Sequence, residues 1–238
     1  MNGLWQDLRF AARTLLARPG FLIVALLSLG LGIGANTAIF SLIDAVMLRI
    51  LPVSHPERLV LLTDPGWSGV AVETTERGTR NVLSYPEFEQ LRVHNSVFSG
   101  MFAAQSALSD LEVLTGRGQQ SVKAHVQLVS GEFFDVLGVQ PILGRAFTPQ
   151  EDRVQGANPV GVISYGFWQR EFSGDASVIG RTVRVGQSSI QILGVTPAGF
   201  RGVLVGADAD LWIPITMQPQ VLTGRDYLKP VDTLWLQV

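Results

Sequence analysis

The chain has 238 residues, 18 of them basic and 20 acidic, for a formal net charge of -2. That balance excludes the strong basic field of a nucleic-acid-binding protein. The absence of cysteine excludes disulfides and thiol chemistry.

Charge is unevenly placed: residues 19–43 carry none, whereas charged side chains recur from Arg49 onward. In the first twenty residues, Leu4, Trp5, Leu8, Ala11, Ala12, Leu15 and Leu16 share one helical face, with Gln6, Arg9 and Arg13 opposite. This is the pattern of an interfacial amphipathic helix over residues 1–20, anchored in lipid by Trp5 and by Arg9, Arg13 and Arg18. Pro19-Gly20 is expected to interrupt it.

The run from Phe21 to Leu48 is apolar enough to predict a transmembrane helix over residues 21–48, since about 20 such residues cross a hydrocarbon core. A signal peptide is the alternative, but this run is about twice a typical h-region and lacks a small-x-small cleavage site before polar sequence. The three arginines place the N-terminus in the cytoplasm and residues 49–238 outside it.

Inside that run, LGLGIGANTA satisfies a G-x-G-x-x-A dinucleotide fingerprint at Gly30, Gly32 and Ala35. No strand precedes it, and no acidic ribose ligand follows within a βαβ unit. The better reading is a helix–helix interface. Gly30, Gly34, Ala38, Ser41 and Ala45 recur every three or four residues, with Asn36 and Thr37 offering hydrogen bonds to a partner helix. Lipid-facing glycines without a partner are the plainer alternative. Asp44 is expected near the outer interface.

Beyond Leu51-Pro52 the pattern is mixed. Arg58–Leu62 reads as a short buried strand and 64–83 as a loop. Ser84-Tyr85-Pro86-Glu87 carries a capping box that starts a helix, continued by Phe88 and Leu91. Residues 101–128 alternate as strands. Ser130–Gly138 is a short helix closed by glycine, and Pro159–Ile163 a strand. Tyr165, Trp168 and Phe172 mark one face of the next helix. Thr182–Val185 and Ile190–Val195 flank a hairpin signal at Gly186-Gln187-Ser188. Asp210–Ile215 reads as an edge strand, because proline lacks a ladder donor. The fold class is α+β.

Chemical motifs are sparse. His55, His94 and His125 lack metal-ligand spacing. Ser164 sits at a strand-to-helix junction, but Val162 stands where a nucleophile elbow needs glycine, so an N-cap explains it better. Asp208 and Asp210 have no full calcium loop around them. No Walker lysine motif occurs, so neither enzyme chemistry nor a cofactor is expected.

Several blocks, in order, carry a family resemblance: RFAARTLLARPGFLIVALLSLGLGIGANTAIFSLIDAVML, LPVSHPERLVLL, SYPEFEQLR, VSGEFFDVLGVQPILGRAFTPQED, PVGVISYGFWQREFSGD, ILGVTPAGFRGV and DLWIPI. Together they resemble the MacB/FtsX-like permease subunits of ABC transporters, in particular stand-alone bacterial MacB-like permeases. The resemblance implies one N-terminal span and a periplasmic porter-like α+β domain, residues 49–137 and 230–238, with a mostly-β subdomain inserted at 138–229. It implies an inner-membrane location and a permease homodimer or paralogous partner, driven by a separate ABC ATPase. The permease would be a non-catalytic part that passes ATP-driven motion to the periplasmic domain for export or extraction of a substrate. It also implies three later spans and a coupling helix beyond Val238, making this chain a fragment or a truncated product. A membrane-tethered binding or structural module without ATPase coupling is the alternative function.

Overall fold

The computed structural model describes residue 10 and residues 19–43, 53–63, 81–116 and 121–238. The chain divides into two compact units, Met1–Ile50 and Leu51–Val238.

In the first unit, helix α1 (Pro19–Ile43) runs unbroken for 25 residues, a length of about 37 Å. Pro19 and Gly20, expected to interrupt a helix, are its first described residues; proline is tolerated in a first turn, where its missing N–H has no partner to lose. Its described large side chains, among them Leu26, Leu27, Leu31, Ile33 and Phe40, are exposed. Counted over the described residues alone, no helix is long and apolar enough to cross a membrane. The complete 25-residue segment nevertheless carries no charged residue.

The second unit is built on one nine-stranded sheet. Its strands are β1 (Ala104–Gln105), β2 (Ser109–Leu114), β3 (Ser121–Val129), β4 (Leu143–Gly144), β5 (Val160–Ile163), β6 (Thr182–Val185), β7 (Ser188–Val195), β8 (Leu211–Pro214) and β9 (Leu236–Gln237). The path β2-β6-β7-β5-β8-β3 returns to its start, because β2 pairs with β3 as well as β6. Six strands therefore close on themselves, while β1 and β9 extend from the end of β3. Closure removes free edges from those six strands. Two of the ring's pairings, β5–β7 and β3–β8, are parallel; the rest are antiparallel.

Side-chain alternation divides the interior into two cores. Val113, Leu128, Ile163, Val183, Val185, Ile190, Ile192, Leu211 and Ile213 share one. Val160, Val162 and Trp212 point the other way, into an aromatic core with Phe133, Phe134, Phe147 and Phe200. Strands β5 and β8 are consequently buried at every position.

Helices start where local chemistry dictates. In α2 (Tyr85–His94) the Ser84 Oγ accepts from the Glu87 N–H, and the Glu87 carboxylate accepts from the Ser84 N–H, completing the expected capping box. Short α3 (Phe133–Leu137) ends at Gly138, whose φ of 66° is the left-handed turn only glycine adopts readily. In α4 (Tyr165–Phe172) the Ser164 Oγ accepts from the Phe167 N–H at 3.0 Å. Its buried anchors are Phe167 and Phe172, with Tyr165 and Trp168 half-buried. A last turn, α5 (Gln218–Val221), packs Val221 into the first core.

Two expectations are corrected. Strand β8 is central, pairing with β3 on one side and β5 on the other. Pro214 is tolerated because it is the strand's last residue, before the chain enters a 3-10 turn over Ile215–Met217. Residues 58–62 form no strand: a 3-10 turn covers Pro56–Arg58, and Leu62 N–H donates to Val238 O at 2.8 Å. Val60 and Leu61 are exposed rather than buried. Residues 64–80 of the expected loop lie outside the described residues.

Candidate functional site

Four residues of the small-residue stripe lie within the described part of α1. At about 100° per residue, the helical run places Gly30, Gly34, Ala38 and Ser41 within an arc of about 80°. All four are exposed, and a Cβ added at Gly30 or Gly34 would meet nothing within 4 Å. Among the described residues, nothing fills the space beside those two glycines. Asn36 is also exposed, but the same arithmetic puts it on nearly the opposite side of α1, so the helix does not bring it to the stripe. Thr37 does border the stripe, yet its Oγ1 donates to its own helix at Ile33 O, 2.8 Å away. Ala45 and the proposed anchors Trp5, Arg9, Arg13 and Arg18 lie outside the described residues.

In the second unit, the chemical candidates are structurally occupied. Asp208 pairs with Arg201, and Asp210 holds Arg170 at 3.1 Å while accepting the His125 N–H at 3.0 Å. His125 also meets Asp110 at 3.3 Å. These groups lock the loop before β8 onto β2 and β3. His55 pairs with Glu57, and the His94 ring contacts Gln90 O in its own helix. Ser164 serves as the cap already described. Among the described residues, no cluster of three metal-ligating side chains occurs.

Sequence reading missed two features. The first is an apolar cleft of about 460 Å³, lined by residues 55–62, the 98–102 loop, Val136, Val203 and the β9 end at Gln237-Val238. The second is a polar junction around the turn Pro149–Asp152, where Thr148 and Glu151 form a capping box. Arg145 binds Glu151 through two bonds of 2.8 Å and, with the Thr148 N–H, holds that carboxyl down at about 2. Its neighbour Asp152 faces inward and is 5% exposed. Asp152 Oδ2 accepts from Gly131 N–H at 3.0 Å, and Oδ1 from Thr216 N–H at 2.9 Å. Burial pushes its carboxyl up to about 7. Tyr85, on α2, is raised by burial first and by Glu89 next. The only local signal was the string TPQED; nothing in it distinguishes the exposed acid from the buried one.

The second unit, with its closed mixed sheet and aromatic second core, is an α+β fold, and a separate helix precedes it in sequence. The family model described as "MacB-like periplasmic core domain" matches residues 22–238. The chain belongs to that family. A curated relative, the macrolide export ATP-binding/permease protein MacB of Chlorobium luteolum, is 30% identical over 105 residues, 43% of this chain and 15% of that protein. Among solved structures, the periplasmic region of MacB from Actinobacillus actinomycetemcomitans has a TM-score of 0.49 at 18% identity. The alignment covers 66% of this chain and 64% of that one. The extracellular domain of the ABC-type transporter YknZ from Gram-positive bacteria has a TM-score of 0.47 at 16% identity, covering 66% and 72%. The chain thus spans only a small part of the curated relative's length. The family is a permease domain of ABC transporters, which is not a catalytic domain.

Proposed function

We propose that this chain is part of a non-catalytic permease subunit of a MacB-type ABC transporter, and that its second unit works outside the cytoplasm as the moving element. One observation carries the reading: the family match begins at residue 22, inside α1, and runs to Val238, so helix and sheet domain belong to one evolutionary unit. In this reading α1 crosses the inner membrane with its N-terminus cytoplasmic, and residues 49–238 are periplasmic. The porter-like part would be 49–137 with 230–238, and 138–229 the inserted subdomain. In this reading a separate ABC ATPase supplies the work. Substrate export or extraction then follows from movement of the second unit.

The topology is tested by fusing alkaline phosphatase, which needs disulfides formed outside the cytoplasm, after Arg49. The expected result is an active fusion. An inactive phosphatase, with an active cytoplasmic reporter at the same junction, would reverse the orientation and end this reading.

The stripe on α1 is proposed as the contact with a second permease helix, from a homodimer or a paralogous partner. Gly34→Leu is expected to reduce co-purification with a differently tagged copy about tenfold, or about 1.4 kcal/mol. Because a side chain at Gly34 meets nothing within 4 Å among the described residues, lost folding does not explain such a decrease. Unchanged association would mean the stripe faces lipid.

A further inference from the structure

The apolar cleft of the second unit has both of its walls held by backbone bonds. One wall is the chain from His55 to Leu62. Ser54 N–H donates to Leu137 O at 3.1 Å, and its Oγ to Gly138 O at 3.2 Å, which pins the start of this wall to the end of α3. The far end is held by the 2.8 Å bond from Leu62 N–H to Val238 O. The other wall is the 98–102 loop. Asn95 Oδ1 accepts from Val97 N–H at 3.1 Å and from Phe98 N–H at 2.9 Å, while Asn95 Nδ2 donates to Phe98 O at 2.9 Å. Gly100 lets this loop lie on α3, since an added Cβ would sit 2.7 Å from Val136 Cγ2.

Val60, Leu61 and Phe98 are exposed, yet they converge on this one cleft with Met101, Val136 and Val203. Exposed apolar groups gathered in one place, on backbone already held in position, are the makings of a binding site. The volume of about 460 Å³ falls within the about 300–1,000 Å³ of small-molecule sites. Charge in the lining has one sign. Arg58 is its one charged side chain, and among the described residues no Asp or Glu lines it. The Arg58 guanidinium has no ion pair and no hydrogen bond among the described residues. His55 is engaged with Glu57 Oε1 at 3.3 Å.

We propose that this cleft binds a single-chain amphiphile with one negative charge, of the fatty-acid class: the hydrocarbon lies against Phe98, Met101 and Val136, and the carboxylate meets Arg58. A carboxylate matches the planar guanidinium fork through two parallel hydrogen bonds. One unpaired cation balances a monoanion but not the greater charge of a phosphate monoester. An ammonium head would meet Arg58 with the same sign and be repelled. The lining residues all belong to the second unit, so the proposal stands whichever way α1 faces and whatever moves the domain.

The test uses the full 238-residue chain in phosphatidylcholine nanodiscs, whose zwitterionic head groups bring no net charge, with diazirine-bearing dodecanoic acid as the probe. Light-induced adducts are located by peptide mass spectrometry and are expected in residues 55–62 and 98–102. Arg58→Ala is expected to lower those adducts about fivefold, the upper end for an exposed ion pair. Arg58 is exposed and its side chain bonds to nothing among the described residues, so lost folding does not explain such a decrease. A probe of equal length ending in trimethylammonium is expected to label the wild-type cleft as weakly as the acid labels the Arg58→Ala variant. Phe98→Asp, which sets an acid among the apolar groups, is expected to lower labelling by the acid as well. Adducts confined to α1 and lipid would show that the probe meets only the bilayer and overturn the proposal. Equal labelling by the two probes, or unchanged labelling in Arg58→Ala, would overturn it too, because the cleft would then not select an anion.

Discussion

Trp212→Ala is expected to lower unfolding stability by about 3–5 kcal/mol, the range for removing a large aromatic side chain from a packed interior. Trp212 is fully buried on β8. Its ring lies 5.3 Å from Phe200 and 5.9 Å from Phe134, and Phe134 meets Phe133 and Phe147 in turn at 5.1 and 5.4 Å. Truncation leaves a hole in the centre of this group, where neighbouring rings are held by other contacts and cannot close it. Part of that loss is a hydrogen bond. The indole Nε1–H donates to Gln127 Oε1 at 3.2 Å, and Gln127, also fully buried, donates onward to Gln105 O at 3.1 Å. Without the indole, a buried amide oxygen is left unpaired, which costs about 1–3 kcal/mol. Trp212→Phe separates the two effects: it retains much of the ring packing and loses the hydrogen bond, so about 1–2 kcal/mol is expected. Urea denaturation of the 238-residue chain in micelles measures both. A loss below about 1 kcal/mol for the alanine variant would mean that the aromatic core adds little to the domain. Against a typical total of about 5–15 kcal/mol, the expected loss is a large fraction.

What could be read from the sequence depended on how local the determining interaction was. Ser84 and Ser164 announced their helices because an N-cap bonds to an N–H three residues on. The β6–β7 hairpin was legible because Gly186, with φ of 57°, makes the turn within two residues. The closure of the sheet was not legible. It depends on β3 meeting β8 and on β2 meeting β6, pairings between strands far apart in sequence, and no local pattern encodes them. The same limit explains β8. Proline argues against a central strand only where its N–H is needed, and whether position 214 needs one depends on a neighbour the sequence does not reveal. The stripe on α1 was visible because 3.6-residue periodicity is a local property. Asn36 was misjudged because nearness in sequence is not nearness on a helix face. Asp152 was invisible for another reason. Glu151 and Asp152 are adjacent acids, and only the cap that draws Glu151 toward Thr148 and Arg145 turns the other one inward.

Gly131→Ala is expected to destabilise the second unit by about 2–6 kcal/mol. An added Cβ would lie 2.5 Å from Pro149 Cα and 2.8 Å from Thr148 O. Both are backbone atoms, so no rotamer change relieves the contact; the turn carrying Asp152 has to move as a whole. Overpacking of this kind costs about 1–3 kcal/mol. Displacing the turn also lengthens the bond from Gly131 N–H to the buried Asp152 carboxyl, adding about 1–3 kcal/mol if the acceptor is left without a donor. Gly180→Ala is the control. Gly180 has the left-handed φ of 83°, but a Cβ there meets nothing within 4 Å, so it is expected to cost only the conformational penalty of about 1–2 kcal/mol. If Gly131→Ala were no worse than Gly180→Ala, the close approach of the two backbones would not hold the junction. Coupling supplies the stricter criterion. Gly131→Ala and Asp152→Asn disrupt the same contact from opposite sides, so the double variant is expected to lose less than the sum of the single losses, by at least about 0.5 kcal/mol. Additive losses would mean that the glycine and the acid stabilise separate parts of the domain.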